Sequence, residues 1–259
     1  MKGRLATIML NRPDVSNAFN ETLVKELESS FRELADSGEI RVIVLASIGK
    51  CFSAGADLRW MKTMADLSEE ENFADAYGLA GMLRTIYTCP KPVIARVHGD
   101  AYGGGLGLIA AADIAVAADS ACFSLSEVKL GLIPATISPY VIRAIGARAA
   151  RRYFITAERF DAAEALRIGL VHKVAPTDAL DSVIESVVSA VLQNGPGAVI
   201  KSKRLIQDLD GQSLSEELLT DTARRIARTR ASDEAREGVR AFLEKRLPTW
   251  VPDTSATER

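Results

Sequence analysis

The chain has 259 residues, of which 47% are hydrophobic and 25% are charged, and its formal net charge is −2 at pH 7. This is ordinary composition for a folded globular protein that can bury a sizeable core. The near-neutral charge gives no overall attraction to nucleic acid or to an anionic membrane. No apolar run approaches the roughly 18 residues of a membrane span, and the first residues do not resemble a signal peptide. We therefore expect a cytoplasmic protein that binds neither nucleic acid nor membrane.

Short apolar runs rich in β-branched residues predict strands over residues 5–10, 42–46, 93–97, 114–117 and 171–174. Most of these runs are too uniformly apolar to have a solvent-exposed face. Helical periodicity between them predicts helices over residues 21–34, 69–87, 106–112 and 147–155. The alternation of the two patterns predicts an α/β chain with one continuous core.

The strand pattern ends near Asp178, and four helical segments follow it. Breaks between these segments are predicted at residues 194–197, 211–213 and 231–233. From Arg224 to Arg246 the chain carries eight Lys or Arg against four Asp or Glu. This surplus of positive charge is compatible with a solvated face, with phosphate binding or with a subunit interface.

The cysteines and histidines do not suggest a metal centre. Cys51, Cys89 and Cys122 are odd in number and widely separated, which fits neither a disulfide framework nor a zinc pattern. We interpret them as packing thiols. His98 and His172 are the two histidines, and each lies on a strand-like segment, which favours a structural role over a metal site or a Ser-His-Asp triad.

Two glycine-rich loops are the segments of the chain best suited to bind a ligand through the backbone. The run 103–107 joins the predicted strand 93–97 to an apolar helix, so a ligand can approach bare backbone at a helix N-terminus. A second loop of small residues, 49–58, follows the strand 42–46. One N–H from each loop can converge on a single carbonyl oxygen, which predicts a two-donor oxyanion hole.

The same loops resemble those of a known protein family. The resemblance extends over most of the chain, from residues 11–18 to residues 237–246. The segments 51–58, 91–95, 99–105 and 113–114 strongly resemble the crotonase family, the enoyl-CoA hydratases and isomerases. The resemblance implies an α/β fold in which residues 1–195 form a crotonase-like spiral of ββα units that holds the active site. It also implies a C-terminal helical region, 196–259, that builds a homotrimer, with a dimer of trimers as the alternative.

Carried onto this chain, the resemblance implies an acyl-CoA substrate and no prosthetic group. The oxyanion donors are then the backbone N–H groups of Ala56 and Gly104. The backbone of the small-residue loop lines the CoA path, and this loop consists of Ser53, Ala54, Gly55, Ala56 and Asp57. Phe242 and Lys245 match a C-terminal aromatic residue and lysine that reach the CoA nucleotide, although helix packing and a surface charge explain them equally well.

Hydratases of this family place one glutamate three residues after the oxyanion glycine and a second about twenty residues further on. This chain has Gly107 at the first position and Glu127 at the second, so Glu127 is the predicted acid–base residue. One carboxylate is sufficient for hydration and for double-bond isomerisation, because it can move protons in sequence. We expect Asp57 to brace its loop and Asp113 to support the core, and neither is predicted to be catalytic.

Three further segments, 125–128, 135–142 and 151–153, resemble a bacterial branch of the family associated with branched or carboxylated substrates, such as methylglutaconyl-CoA hydratase. The sequence therefore predicts hydration of a 2-enoyl-CoA through a thioester enolate, with a branched or carboxylated acyl group as one option. Double-bond isomerisation is the alternative. A catalytically inactive acyl-CoA-binding subunit is the third reading, since the first carboxylate is absent.

Overall fold

A computed structural model of the chain describes residues 3–251, which form two sheets and ten helices. The first sheet has five parallel strands, in the order β1 (Leu5–Leu10), β2 (Val42–Ser47), β4 (Val93–Val97), β6 (Ile114–Ala118) and β9 (Lys173–Ala175). The second sheet has the order β3 (Cys51–Ser53), β5 (Asp100–Tyr102), β7 (Cys122–Ser124) and β8 (Phe160–Asp161). Its last strand, β8, is antiparallel to β7.

The helices alternate with these strands and then continue alone to the end of the described chain. They are α1 (Glu21–Asp36), α2 (Leu58–Met64), α3 (Glu69–Thr88), α4 (Gly104–Ala111), α5 (Ser138–Thr156), α6 (Ala162–Ile168), α7 (Leu180–Gln193), α8 (Pro196–Leu209), α9 (Glu216–Arg230) and α10 (Asp233–Leu243). Each of the strand pairs β2–β3, β4–β5 and β6–β7 contributes one strand to each sheet and is followed by helix. The predicted ββα spiral and the helical C-terminal region are therefore confirmed.

The central strands of the first sheet, β2, β4 and β6, are buried on both faces. Every residue of β2 is buried. Val42 and Val44 pack in a cluster with side chains of α7, whereas Ile43 and Leu45 belong to the main core on the other face. Because successive side chains of a strand point to opposite faces, a strand covered on both sides must be apolar throughout. This explains the uniformly apolar runs in the sequence.

The second sheet was not predicted from the sequence. Its strands are only two or three residues long, so they show no alternation of apolar and polar residues. The segment 49–58, read as one loop, contains β3 and the first residue of α2. Helix α5 also begins earlier than predicted and bends at Gly146, whose φ of 72° and ψ of 157° interrupt the helical pattern.

Hydrogen bonds and an ion pair hold helix α8 against the core of the same chain. The buried ammonium of Lys203 lies 2.6 Å from the Asp113 carboxylate and donates to the Lys91 carbonyl at 3.1 Å. Asp113 also accepts a hydrogen bond from the Val93 N–H at 2.7 Å, in line with its expected supporting role. At the start of α8, Glu234 accepts hydrogen bonds from two backbone N–H groups.

The predicted boundary between residues 195 and 196 falls in the short break between α7 and α8. It stays a prediction, and the two predicted regions include residues 1–2 and 252–259, which lie outside the described part of the chain. Within residues 3–251, no single helix is long and apolar enough to cross a membrane. Helices α7 and α8 meet that length and composition only as a pair bent by 104°.

Candidate active site

The glycine run forms a sharp turn between β5 and α4. Gly103 has φ 49° and ψ −117°, a combination that residues with a side chain rarely adopt, and its N–H donates to the Ser124 carbonyl at 3.0 Å. Gly104 is the first residue of α4, so its N–H has no intrahelical acceptor. The turn therefore presents a main-chain donor at the positive end of a helix.

The small-residue loop supplies the second donor. The Gly55 carbonyl accepts a hydrogen bond from the Phe19 N–H at 2.6 Å, and the Asp57 N–H donates to the Phe19 carbonyl at 2.8 Å. In such a parallel bridge the residue between the two bonded positions directs its own N–H to the other side. The N–H of Ala56 is therefore turned away from Phe19.

The two loops are in direct contact. Gly55 has a φ of 82°, and a Cβ built on it would lie 2.9 Å from the Tyr102 carbonyl oxygen and 3.4 Å from the Gly104 nitrogen. Any side chain at Gly55 would therefore push the loops apart. The structure thus brings the loop of Ala56 beside the N–H of Gly104, as a two-donor site for one oxygen requires.

Glu127 lies beside the same turn. It begins a 3-10 helical turn, Glu127–Leu130, three residues after the end of β7. A Cβ on Gly103 would lie 3.0 Å from the Glu127 Oε1 atom. The pairing of β5 with β7 therefore sets the carboxyl group next to the proposed donors.

The environment of Glu127 suits proton transfer. Among residues 3–251, its Oε2 atom is buried and has no hydrogen-bond partner. Burial raises the pKa of the Glu127 carboxyl, and a hydrogen bond from its own backbone opposes this effect. A buried carboxyl with an unpaired oxygen in a cleft is a typical candidate for acid–base catalysis.

Ile137 fills the place of the missing first carboxylate. A Cβ on Gly107 would overlap the Cγ2 atom of Ile137 and would lie 3.5 Å from a methyl group of Leu83. Both apolar residues are buried. Glu127 is therefore accompanied by apolar packing, and not by a second acid, at this position.

The remaining loop residues brace the site. Asp57 caps α2 by accepting the Arg59 N–H at 2.9 Å, and it forms an ion pair with Arg12 at 2.9 Å. These hydrogen bonds hold the pKa of the Asp57 carboxyl below its usual value, so it stays ionised, as a bracing residue would. The Ser53 hydroxyl is buried and donates to the Asn17 carbonyl at 3.0 Å, whereas Ala54 and Ala56 are partly exposed.

The predicted nucleotide contacts lie on a different element. Phe242 is 81% exposed near the end of α10, and Lys245 follows that helix with a φ of 53°. Helix α10 packs on α8 and α9. Contact of Phe242 and Lys245 with CoA stays a prediction.

A large cavity of about 920 Å³ lies elsewhere, between α8 and the core. It is lined at one side by Asp113, which follows the C-terminal end of α4, whereas Gly104 stands at the N-terminal end. An eight-residue helix is about 12 Å long, so the cavity and the donor pair are separate. Within the described residues, no three His, Cys, Asp or Glu side chains are grouped to hold a metal ion.

Sequence reasoning assigned no role to the N-terminal turn that contains Arg12 and Phe19 or to Ile137. The motif 11–18 was recognised only as part of the resemblance. The contacts of these residues join positions far apart in the chain, which neither periodicity nor local turn propensity reveals.

Comparison with known proteins shows that the chain matches one protein family over nearly its whole length. The family model described as "Enoyl-CoA hydratase/isomerase" matches residues 1–253. The short-chain-enoyl-CoA hydratase of Clostridium acetobutylicum is 31% identical over 249 residues, covering 95% of this chain and 93% of that protein.

Solved structures agree with this match. A crystal structure of an enoyl-CoA hydratase from Shewanella pealeana has a TM-score of 0.93 and 45% identity, covering 96% of this chain and 94% of that chain. An enoyl-CoA hydratase from Mycobacterium smegmatis has a TM-score of 0.89 and 36% identity, covering 94% of both chains. The similarity therefore extends over the spiral and the C-terminal helices together.

The contact at Gly107 generates a stability prediction. Gly107→Ala is expected to lower the free energy of unfolding by about 1–2 kcal/mol, because overpacking outweighs the gain in helix propensity. The matched control is Gly78→Ala in α3, where a Cβ would meet no atom within 4 Å. That control should be neutral or stabilising by up to about 1 kcal/mol. Urea denaturation of both variants measures the difference.

The cost should also depend on Ile137. In an Ile137→Ala background, Gly107→Ala is expected to cost less than in the parent, since the overlapping methyl group is gone. An equal cost in both backgrounds would show that Ile137 does not occupy this space.

Proposed function

The chain belongs to the enoyl-CoA hydratase/isomerase family, and we propose that it adds water to a 2-enoyl-CoA with Glu127 as the acid–base residue. Enzymes of this family act on CoA thioesters and need no prosthetic group. The observation that carries the proposal is the buried Oε2 of Glu127, which has no hydrogen-bond partner within residues 3–251 and lies next to the turn that presents the Gly104 N–H. This arrangement puts a proton-transfer group beside an oxyanion site.

The proposed role of the two main-chain donors is to hold the thioester oxygen. When water adds to C3 of the enoyl group, negative charge develops on that oxygen as an enolate forms. The N–H groups of Ala56 and Gly104 bind this charge more strongly than they bind the neutral carbonyl, so they stabilise the transition state selectively. The N-terminal end of α4 adds its dipole to the same effect.

Glu127 then moves the protons. As a carboxylate it accepts a proton from water while the water oxygen bonds to C3. As the resulting carboxylic acid it returns that proton to C2, and the enolate reverts to a thioester. Atoms and charge balance with one carboxyl group, and burial raises the pKa of that carboxyl, which favours the proton-donating step.

Double-bond isomerisation is the second candidate, and Ile137 is the observation that favours it. Gly107 packs on apolar side chains, so Glu127 is the one acid–base residue that we propose for the site. Isomerisation of a 3-enoyl thioester needs only one base, which removes a proton from C2 and returns it to C4. The oxyanion donors serve that reaction equally well, because it passes through the same kind of enolate.

Apolar side chains are exposed on the segments that follow the small-residue loop and Glu127 in the chain, which supports an acyl group with apolar surface. Leu58, Phe73 and Tyr77 on α2 and α3 are 64–77% exposed, and Leu130 and Ile133 after Glu127 are 61% and 74% exposed. Exposed apolar side chains in such numbers mark a binding surface. A branched acyl chain suits these apolar side chains, and a carboxylated one remains the alternative that the resemblance suggests.

Replacing the carboxyl group tests the assignment of Glu127. Glu127→Gln is expected to reduce turnover roughly 10²- to 10⁴-fold, because the amide cannot carry the proton. A panel of crotonyl, 3-enoyl, branched 2-enoyl and methylglutaconyl thioesters, followed by mass spectrometry, measures the loss. Hydration adds the mass of water, whereas isomerisation leaves the mass unchanged and is followed by chromatography.

The thermal unfolding midpoint provides the control. A carboxyl whose folded-state pKa is raised destabilises the fold as the pH rises past its ordinary value of 4.5, so the amide variant should melt at the same temperature or higher at neutral pH. Unchanged turnover in Glu127→Gln would refute the acid–base role. Binding of acyl-CoA by the parent without turnover of any thioester would instead favour an inactive binding subunit.

The pH profile is a second test of the same residue. Water activation needs the ionised carboxyl, and burial raises its pKa above 4.5. The value of kcat/KM is therefore expected to fall as the pH is lowered, along a limb centred above pH 4.5. Steady-state assays over a pH series in which circular dichroism shows an intact fold locate this limb. A limb at or below pH 4.5, or the same limb in Glu127→Gln, would contradict the assignment.

The proposal includes a homotrimer, with a dimer of trimers as the alternative. Exposed apolar residues on α9 and α10 support an interface there, and they include Leu219, Ile226, Val239, Phe242 and Leu243. In such an assembly, Phe242 and Lys245 reach the CoA nucleotide of their own or a neighbouring subunit.

Sedimentation equilibrium measures the assembly directly. We expect a mass about three times the 27.9 kDa of the chain, or six times if trimers pair. Val239→Glu places a charge on the exposed face of α10 and is expected to lower the mass toward that of one chain. A parent protein that sediments as a monomer would overturn this part of the proposal.

A further inference from the structure

Phe19 contacts both loops of the candidate oxyanion site. Its backbone forms the two hydrogen bonds to Gly55 and Asp57 that orient Ala56 between them. Its ring lies against the glycine turn, because a Cβ built on Gly104 would be 2.7 Å from the Phe19 Cε2 atom and 3.1 Å from Cδ2. One residue therefore fixes one donor segment through its main chain and touches the other donor with its side chain.

The turn that carries Phe19 is itself held rigidly. Asn17 is fully buried, and its side-chain amide donates to the carbonyls of Ile48 at 2.7 Å and Cys51 at 2.9 Å. The Asn17 Oδ1 atom accepts the Arg12 N–H at 2.9 Å. Asn17 and Ser16 both have a φ near +54°. A left-handed turn with satisfied buried polar groups has little freedom to move.

Arg12 ties this turn to the end of the small-residue loop. Its guanidinium donates to the Ala18 carbonyl and forms the ion pair with Asp57 at 2.9 Å. The Ala54 N–H donates to the Ser16 carbonyl at 2.9 Å, so the loop is also bound at its start. Residues 53–57 are therefore held along their length by the turn that ends at Phe19.

We infer that Phe19 is a positioning residue that sets the spacing between the N–H groups of Ala56 and Gly104. The inference rests on the proposed function, since the spacing matters only if both groups bind one thioester oxygen. Phe19 is 1% exposed, so its ring lies behind the two donor segments. It acts as a spacer, because moving it lets the start of α4 shift relative to a loop that the backbone bridge keeps in place.

The matched variants are Phe19→Leu and Phe31→Leu. Both residues are buried in the same core, but Phe31 lies on α1 and has no part in the site. Phe19→Leu is expected to reduce kcat roughly 10- to 100-fold with little change in KM, because displaced donors lose transition-state stabilisation more than substrate binding. Phe31→Leu is expected to keep the parent kcat at a temperature where both variants are folded.

A spectroscopic readout separates positioning from a general loss of packing. Butyryl-CoA labelled with ¹³C at the thioester carbonyl binds without reacting, and infrared difference spectroscopy reports the hydrogen bonding of that carbonyl. The stretching frequency should fall on binding to the parent and to Phe31→Leu, and it should fall less on binding to Phe19→Leu. A structural role alone would not move this band.

A second variant pair tests the contact between the ring and Gly104. Gly104→Ala pushes a methyl group against the Phe19 ring and is expected to lower kcat strongly. In the Phe19→Leu background the same change is expected to cost less, since the smaller side chain leaves room. Equal fold-losses in the two backgrounds would mean that the ring does not set the position of Gly104.

The outcomes distinguish a failure of the role of Phe19 from a failure of the oxyanion assignment. No frequency change on binding to the parent would show that the carbonyl is not held by the two N–H groups, and the oxyanion assignment itself would fail. A normal change in the parent, together with an identical band and kcat in Phe19→Leu, would overturn the role of Phe19 and leave the oxyanion assignment standing.

Discussion

The site depends on the close approach of two backbone segments that lie almost fifty residues apart. The loop 53–57 and the turn at Gly103 and Gly104 belong to successive turns of the spiral, and their backbones come into direct contact at Gly55. A carbon added at Gly55 would lie within 2.9 Å of a carbonyl oxygen. The glycines are therefore required by geometry, because only bare backbone lets two N–H groups converge on one atom.

Glu127 carries an energetic cost in this arrangement. Its buried Oε2 has no hydrogen-bond partner within residues 3–251, and burial disfavours its ionised form. Such a group lowers stability, and the surrounding structure must hold it in place. The pairing of β5 with β7 and the hydrogen bond from Gly103 to Ser124 hold the backbone before Glu127 beside the glycine turn.

Much of the fold was predictable because long elements carry their own pattern. The five strands of the first sheet and the breaks between the C-terminal helices were predicted to within a few residues. The second sheet was not, since two or three residues cannot show a period. That difference matters, because β3, β5 and β7 are the strands that bring the site together.

The candidate site was also predictable only in part. Local composition indicated two glycine-rich loops, and the resemblance supplied the numbered positions of Ala56, Gly104 and Glu127. The spacer position of Phe19 and the packing of Ile137 on Gly107 depend on contacts across the fold, which no local pattern encodes. The sequence therefore indicated the proposed donors and the proposed acid–base residue, whose contact with a ligand stays a prediction. It did not indicate the buried side chains that pack behind them.

Helix α2 starts immediately after Ala56, with Asp57 as its cap. The proposed oxyanion donor thus lies one residue before the cap of α2, and the exposed apolar side chains of α2 and α3 follow it in the chain. Because the donor is main chain, it survives any substitution along those helices that leaves the cap intact. Duplicated copies of such a gene can therefore change the side chains of α2 and α3 while they keep the proposed main-chain donor.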